Sequence, residues 1–133
     1  MRVYAFVTRC AERELRKEGL TLPRFDVIAH LGVKEECFSQ DDLCEKLLVT
    51  KGNISGLIDR MAEEGLVSRE EDPKNRRCNR IELTDRGKKL FQKVVPEHEG
   101  CIDNMFSVLT RQEQTQLKDL LRKLIKSMCE RVE

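Results

Sequence analysis

Two helix-start signals, eleven residues apart, constrain this chain more than any other feature. Ser39 with Asp42 three residues on has the form of a capping box. It opens a short helix whose apolar positions are Leu43, Leu47 and Cys44. Val49-Thr50 then makes a tight turn, and Thr50 is placed to cap a longer helix reaching Glu64-Gly65. Two helices joined across so short a turn form a helix-turn-helix.

The second of these helices divides cleanly into two faces. At about 100° per residue, Ile54, Leu57, Ile58 and Met61 fall on one side and must face the core. The opposite side carries Gly52, Ser55, Gly56 and Asp59, with Arg60 at its margin and Lys51 near the N-terminus. Each helical glycine costs about 1 kcal/mol relative to alanine, so something should offset it. Close approach of the backbone to a DNA groove would do so. Ser55 can bond base edges or phosphates, and the turn around Lys51 and Asn53 favours phosphate.

Leu66-Val67-Ser68-Arg69 and Arg80-Ile81-Glu82-Leu83 read as short strands around a turn-rich basic connection, Asp72 to Arg77. Such a hairpin behind a helix-turn-helix is a wing. From Asp72 to Arg80 four cations (Lys74, Arg76, Arg77, Arg80) stand against one acid. That local excess matters because the chain as a whole is nearly neutral, with 25 Lys+Arg and 24 Asp+Glu. Arginine on a thin hairpin suits a narrow, electronegative minor groove.

The rest of the 133 residues reads as helix. Val3, Phe6, Val7, Cys10, Ala11 and Leu15 recur at helical spacing, and Gly19 supplies the stop. Thr21 can cap a second helix running to Gly32. Leu90 to Leu109 forms one long amphipathic stretch with a bend expected at Pro96. Thr110-Arg111-Gln112-Glu113 is a second capping box, and Leu117, Leu120, Leu121, Leu124, Ile125 and Met128 stripe a final helix. One small domain cannot cover that stripe unaided, so a second copy of the chain is expected on it. The expected fold class is mainly α with a small β-wing, in one domain.

Other classes of function find little support. There is no nucleophile elbow, P-loop or dinucleotide-binding glycine pattern, and Glu70-Glu71 reads as wing charge, so no enzyme activity is expected. No cofactor or metal is expected: six cysteines, none in a CxxC, accompany only His30 and His98. The cysteines read as free thiols, several of them small core residues. His30 reads as a core histidine, whereas His98 has nothing converging on it in sequence. The opening apolar run is too short for a signal peptide, and no stretch approaches a membrane span. A cytoplasmic location and no membrane partner are expected.

Taken in order, the runs Thr21 to Val27, Val49 to Ser55, Asp59 to Val67 and Asp72 to Arg77, with Ile81 to Thr84 and Gly87, resemble the MarR family of winged-helix transcription regulators. The resemblance spans nearly the whole chain. It implies an obligate homodimer joined by its N- and C-terminal helices (residues 1–20 and 85–133) around a DNA-binding lobe (21–84). It further implies pseudo-palindromic double-stranded DNA operators, repression in most members, and release by small-molecule effectors or oxidants. Carried over by position, the recognition helix is Thr50 to Glu64, with Asn53 and Ser55 in the groove, Arg60 on phosphate and Arg77 at the wing tip. With the readings above, the DNA-contact set is Thr50, Lys51, Asn53, Ser55, Gly56, Arg60, Lys74, Arg76 and Arg77.

The chain departs from the family pattern in several places. Asn75 stands where an aspartate usually pairs with the wing arginine, Arg24 where glutamine is common, and Gly56 where a polar or basic residue is frequent. The first helix also starts later than usual, implying a smaller dimer seam. Two other readings stay open: a winged-helix module that binds protein, and a thiol-based redox sensor. Against the latter, peroxide-sensing relatives place their reactive cysteine earlier in the first helix than Cys10.

Overall fold

In a computed structural model, residues 2–34, 38–47 and 49–132 are described, apart from the side chains at 34, 72, 75–79, 129, 131 and 132. Their elements run α1 (Arg2–Lys17), α2 (Leu22–Lys34), β1 (Phe38–Ser39), α3 (Gln40–Leu47), α4 (Lys51–Glu63), β2 (Val67–Asp72), β3 (Asn75–Leu83), α5 (Asp85–Phe106) and α6 (Arg111–Val132). The three strands form one antiparallel sheet in the order β1-β3-β2.

Most helix boundaries follow from local chemistry. Gly19 ends α1 at φ +69° and Gly65 ends the fourth helix at φ +73°, a region that favours glycine. Ser39 and Asp42 close their box: the Ser39 amide donates to Asp42 Oδ2 at 3.0 Å, and the Asp42 amide donates to Ser39 Oγ at 3.1 Å. The Ser39 hydroxyl, donating to the same carboxylate at 2.7 Å, and then the Ser39 amide hold the Asp42 carboxyl below its ordinary pKa. Thr110 and Glu113 close a second box at the start of α6: the Thr110 amide donates to Glu113 Oε2 at 2.8 Å, and the Glu113 amide donates to Thr110 Oγ1 at 3.2 Å.

Four expectations need correction. Helix α2 does not stop at Gly32 but continues to Lys34, and the Phe91 ring of α5 lies where a Cβ on residue 32 would be. Glycine is there for packing, not termination. The strands extend beyond the four residues expected of each, so the connection shortens to a tight turn at Pro73-Lys74. The unforeseen β1 pairs Phe38 with Ile81 and ties the start of α3 to the wing. The long stretch expected to run to Leu109 closes at Phe106, with Pro96 inside the helix.

One core holds the lobe together. Val27, Ile28 and Leu31 of α2 meet Leu43 of α3, Ile54, Ile58 and Met61 of α4, Ile81 of β3 and Val94 of α5, all essentially without solvent exposure. Cys44 is buried among them, as expected of a small core residue, while Cys10 and Cys101 are half-buried free thiols. Outside this core, Val3, Tyr4 and Phe6 of α1 and Leu120, Leu121, Leu124, Ile125 and Met128 of α6 stand exposed. Among the described residues, no helix is long and apolar enough to cross a membrane.

Candidate nucleic-acid interface

Helix α4 is anchored by one face and presents the other. Ile54, Ile58 and Met61 are fully buried and Leu57 half-buried, as the spacing requires. Thr50 caps the helix, its hydroxyl accepting from the Asn53 amide at 3.3 Å. On the outer side Gly52, Asn53 and Arg60 are exposed, and Ser55 and Gly56 are half-exposed. A Cβ added to Gly52 or Gly56 would meet nothing within 4 Å. Among the described residues, no packing asks for glycine at either position.

The electrostatics of the helix start differ from the sequence reading. Lys51 Nζ sits 2.9 Å from Asp41 Oδ1 of α3, and the hydrogen bond raises the Lys51 pKa above its ordinary value. Both side chains are exposed, so this is a screened pair that a phosphate can replace. The partner escaped sequence reasoning because the two residues meet only across the turn between α3 and α4.

The other end of α4 is fastened to α5 and α2. Arg86 Nη1 donates to the Glu64 carbonyl at 2.8 Å, Arg24 pairs with the Glu64 carboxylate, and Thr84 Oγ1 donates to the Gly65 carbonyl at 2.6 Å. Cations at a helix C-terminus complement its dipole. Arg24 therefore serves the C-terminal end of α4.

On the wing, β2 and β3 pair from Val67↔Leu83 to Glu71↔Asn79, with a register shift at Glu71/Asp72. Glu70 lies opposite Arg80, so one cation of the basic run faces an acid across the strands. Lys74 is exposed in the turn. Arg76 and Arg77 lie on the β3 backbone near the tip, and their side chains lie outside the described residues. At the wing base Arg69, which sequence reasoning missed, reaches Asp59 of α4 at 2.6 Å and Gln40 of α3 at 2.7 Å.

The two histidines part company. His30, expected in the core, is only half-buried and lies at its edge, its Nδ1 3.1 Å from the Asp26 carbonyl within α2. His98 lies tilted at 42° against Phe25 with ring centroids 4.2 Å apart, and its buried Nδ1 has no hydrogen-bond partner among the described atoms. Burial lowers the His98 pKa and raises that of nearby Asp26.

A helix-turn-helix with a small, polar outer face on its second helix, flanked by an antiparallel hairpin, defines a winged-helix DNA-binding protein. The MarR family's sequence model matches residues 18–77. YkoM of Bacillus subtilis (strain 168), an uncharacterized HTH-type transcriptional regulator, is 32% identical over 122 residues, covering 92% of this chain and 79% of its own. AbsC, a MarR family transcriptional regulator from Streptomyces coelicolor, superposes with a TM-score of 0.91 at 26% identity, over 97% of this chain and 88% of its own. MepR of S. aureus, solved in complex with DNA, shares the fold at a TM-score of 0.87 and 22% identity, over 96% and 93% of the two chains. The chain belongs to the MarR family and is a DNA-binding transcriptional regulator.

Proposed function

We propose that the protein is a homodimeric repressor that binds a pseudo-palindromic operator and releases it in response to a small molecule. The observation that carries this reading is the outer face of α4, where two glycines that no internal packing requires stand beside exposed Asn53 and half-exposed Ser55. In this reading Asn53, Ser55 and Gly56 enter the major groove, and Thr50, Lys51 and Arg60 hold flanking phosphates. Lys74, Arg76 and Arg77 approach the neighbouring minor groove.

Residues 21–84 act as the reading lobe, and 1–20 with 85–133 as the dimer seam. The exposed apolar side chains of α1 and α6 support the seam, since water-facing leucines on two helices are best covered by the same helices of a second copy. Two-fold symmetry then requires half-sites about 10 base pairs apart, centre to centre. The effector acts on the spacing of the two reading heads, because α5 joins the wing to the seam and two heads gain from each other only while both fit.

Selection of bound fragments from the source genome tests the reading, followed by titration of the selected duplex against salt. Affinity should fall steeply with salt as counterions are released, and Arg77→Ala should cost about 1–3 kcal/mol of binding without unfolding the protein. A surface that binds protein instead would select no duplex and show weak salt dependence.

A further inference from the structure

We propose that Arg69 is the positioning residue that sets the recognition helix and the wing at the separation DNA requires. The inference rests on the DNA-binding reading of α4 and the wing. Arg69 stands on β2 opposite Ile81, at the base of the hairpin. Its guanidinium leaves the sheet and divides between two helices: Nη1 donates to Asp59 Oδ1 at 2.6 Å, and Nη2 donates to Gln40 Oε1 at 2.7 Å. One planar group thus touches α3, α4 and the wing, the three elements of a winged helix that face a duplex. A guanidinium suits this task because its donors sit in a fixed fork, whereas an ammonium acts as a point charge.

Stability alone does not account for this arrangement. The Arg69 side chain is 26% exposed, and its Nε is buried with no partner among the described atoms. A partly buried guanidinium left with one unmet donor stabilises less than an apolar side chain filling the same space. The helices are also held without it, since Ile54, Ile58 and Met61 lock α4 to the core and Ser39 with Asp42 caps α3. The bridge adds a fixed relation between elements already folded. Asp59, 54% exposed on the outer side of α4, places a negative charge where a phosphate backbone would pass. Charge alone disfavours an acid there, and its pairing with Arg69 supplies the reason for it.

Helix and wing behave as two linked contacts on one duplex, so loosening the link reduces the benefit each gives the other. The proposal is tested with Arg69→Gln, Asp59→Asn and the double variant, using duplexes selected from a random pool by the wild-type protein. Each single variant should bind about tenfold more weakly, and the double variant no worse than either, as expected of residues acting as a unit. The slope of affinity against salt should stay at the wild-type value, whereas loss of a direct phosphate contact would reduce it by about one. Tighter or unchanged binding by Asp59→Asn would overturn the proposal, as would a reduced salt slope in Arg69→Gln. In the free protein, amide residual dipolar couplings of α4 and of β2–β3 should fit one rigid frame in the wild type and two in Asp59→Asn. A single unchanged frame in that variant also overturns the proposal. Should the wild type select no duplex, the DNA-binding reading fails, and the couplings alone decide whether Arg69 sets the geometry.

Discussion

Gly87, in the first turn of α5, lies so close to the backbone of Leu66 that a Cβ built on it would overlap the Leu66 carbonyl oxygen. The same carbonyl accepts from the Thr84 amide at 3.1 Å, and the Thr84 hydroxyl accepts from the Gly87 amide at 3.1 Å. With Arg86 on the Glu64 carbonyl, the start of α5 is seated directly on the end of α4.

Gly87→Ala should destabilise the protein by about 1–3 kcal/mol, because the obstacle is backbone and cannot swing aside like a side chain. Thermal unfolding followed by circular dichroism measures this. A melting temperature equal to wild type would show that the joint has slack.

Gly56→Ala should act in opposite directions on stability and binding. The added methyl meets nothing in the free protein, so the helix gains up to about 1 kcal/mol. Against DNA the same methyl stands where the backbone should approach the groove, and affinity should fall. A raised melting temperature with undiminished affinity would remove close backbone approach from the account.

Asp41→Asn should strengthen DNA binding several-fold with little change in melting temperature. The substitution frees Lys51 from its exposed ion pair and removes an acid beside the helix start. Titrations of the selected duplex at two salt concentrations distinguish this outcome. Weaker binding would mean that Asp41 orients Lys51 instead of occupying it.

His98 should make the fold sensitive to mild acid. Burial against Phe25 holds its folded-state pKa below the ordinary 6.5, outweighing the opposing pull of Asp26 and Glu99. The folded state therefore binds fewer protons than the unfolded chain. Stability should decline as pH falls from about 6.5 towards the lowered folded value. His98→Phe keeps a ring beside Phe25 and should lose this part of the decline. Chemical denaturation at pH 7.5 and 5.5 gives the comparison, and equal pH dependence in the two proteins would sink the assignment.

Leu124→Glu should convert the dimer to monomer without unfolding the lobe. Leu124 is 58% exposed and Met128, one turn on, is 65% exposed, so the charge falls on the proposed seam and leaves the folded core intact. Sedimentation velocity at micromolar concentration reads the outcome. Persistence of a dimer would move the seam away from α6.

Much of the architecture is written in short-range chemistry. The capping pairs Ser39–Asp42 and Thr110–Glu113, the Thr50 cap and the Gly19 and Gly65 stops all act within a few residues of themselves, so their geometry is legible along the chain. The buried face of α4 is equally legible, because 3.6-residue periodicity alone decides which side meets the core. The ordered motifs from Thr21 to Gly87 sufficed for the family.

What the tertiary structure decided depends on groups far apart in sequence. Gly32 reads as a stop signal until Phe91, on another helix, is seen filling the space its side chain would occupy. Strand ends are set by their partners: Phe38 becomes strand because Ile81 lies beside it, a pairing across 43 positions that no local propensity encodes. Charges tell the same story, since Lys51, Arg24 and Arg69 look alike as free cations in the sequence. Their partners Asp41, Glu64 and Asp59 are fixed only when packing brings the elements together. Local backbone and capping energies act over one helical turn, whereas side-chain pairing is settled by the packed core that brings distant elements within reach.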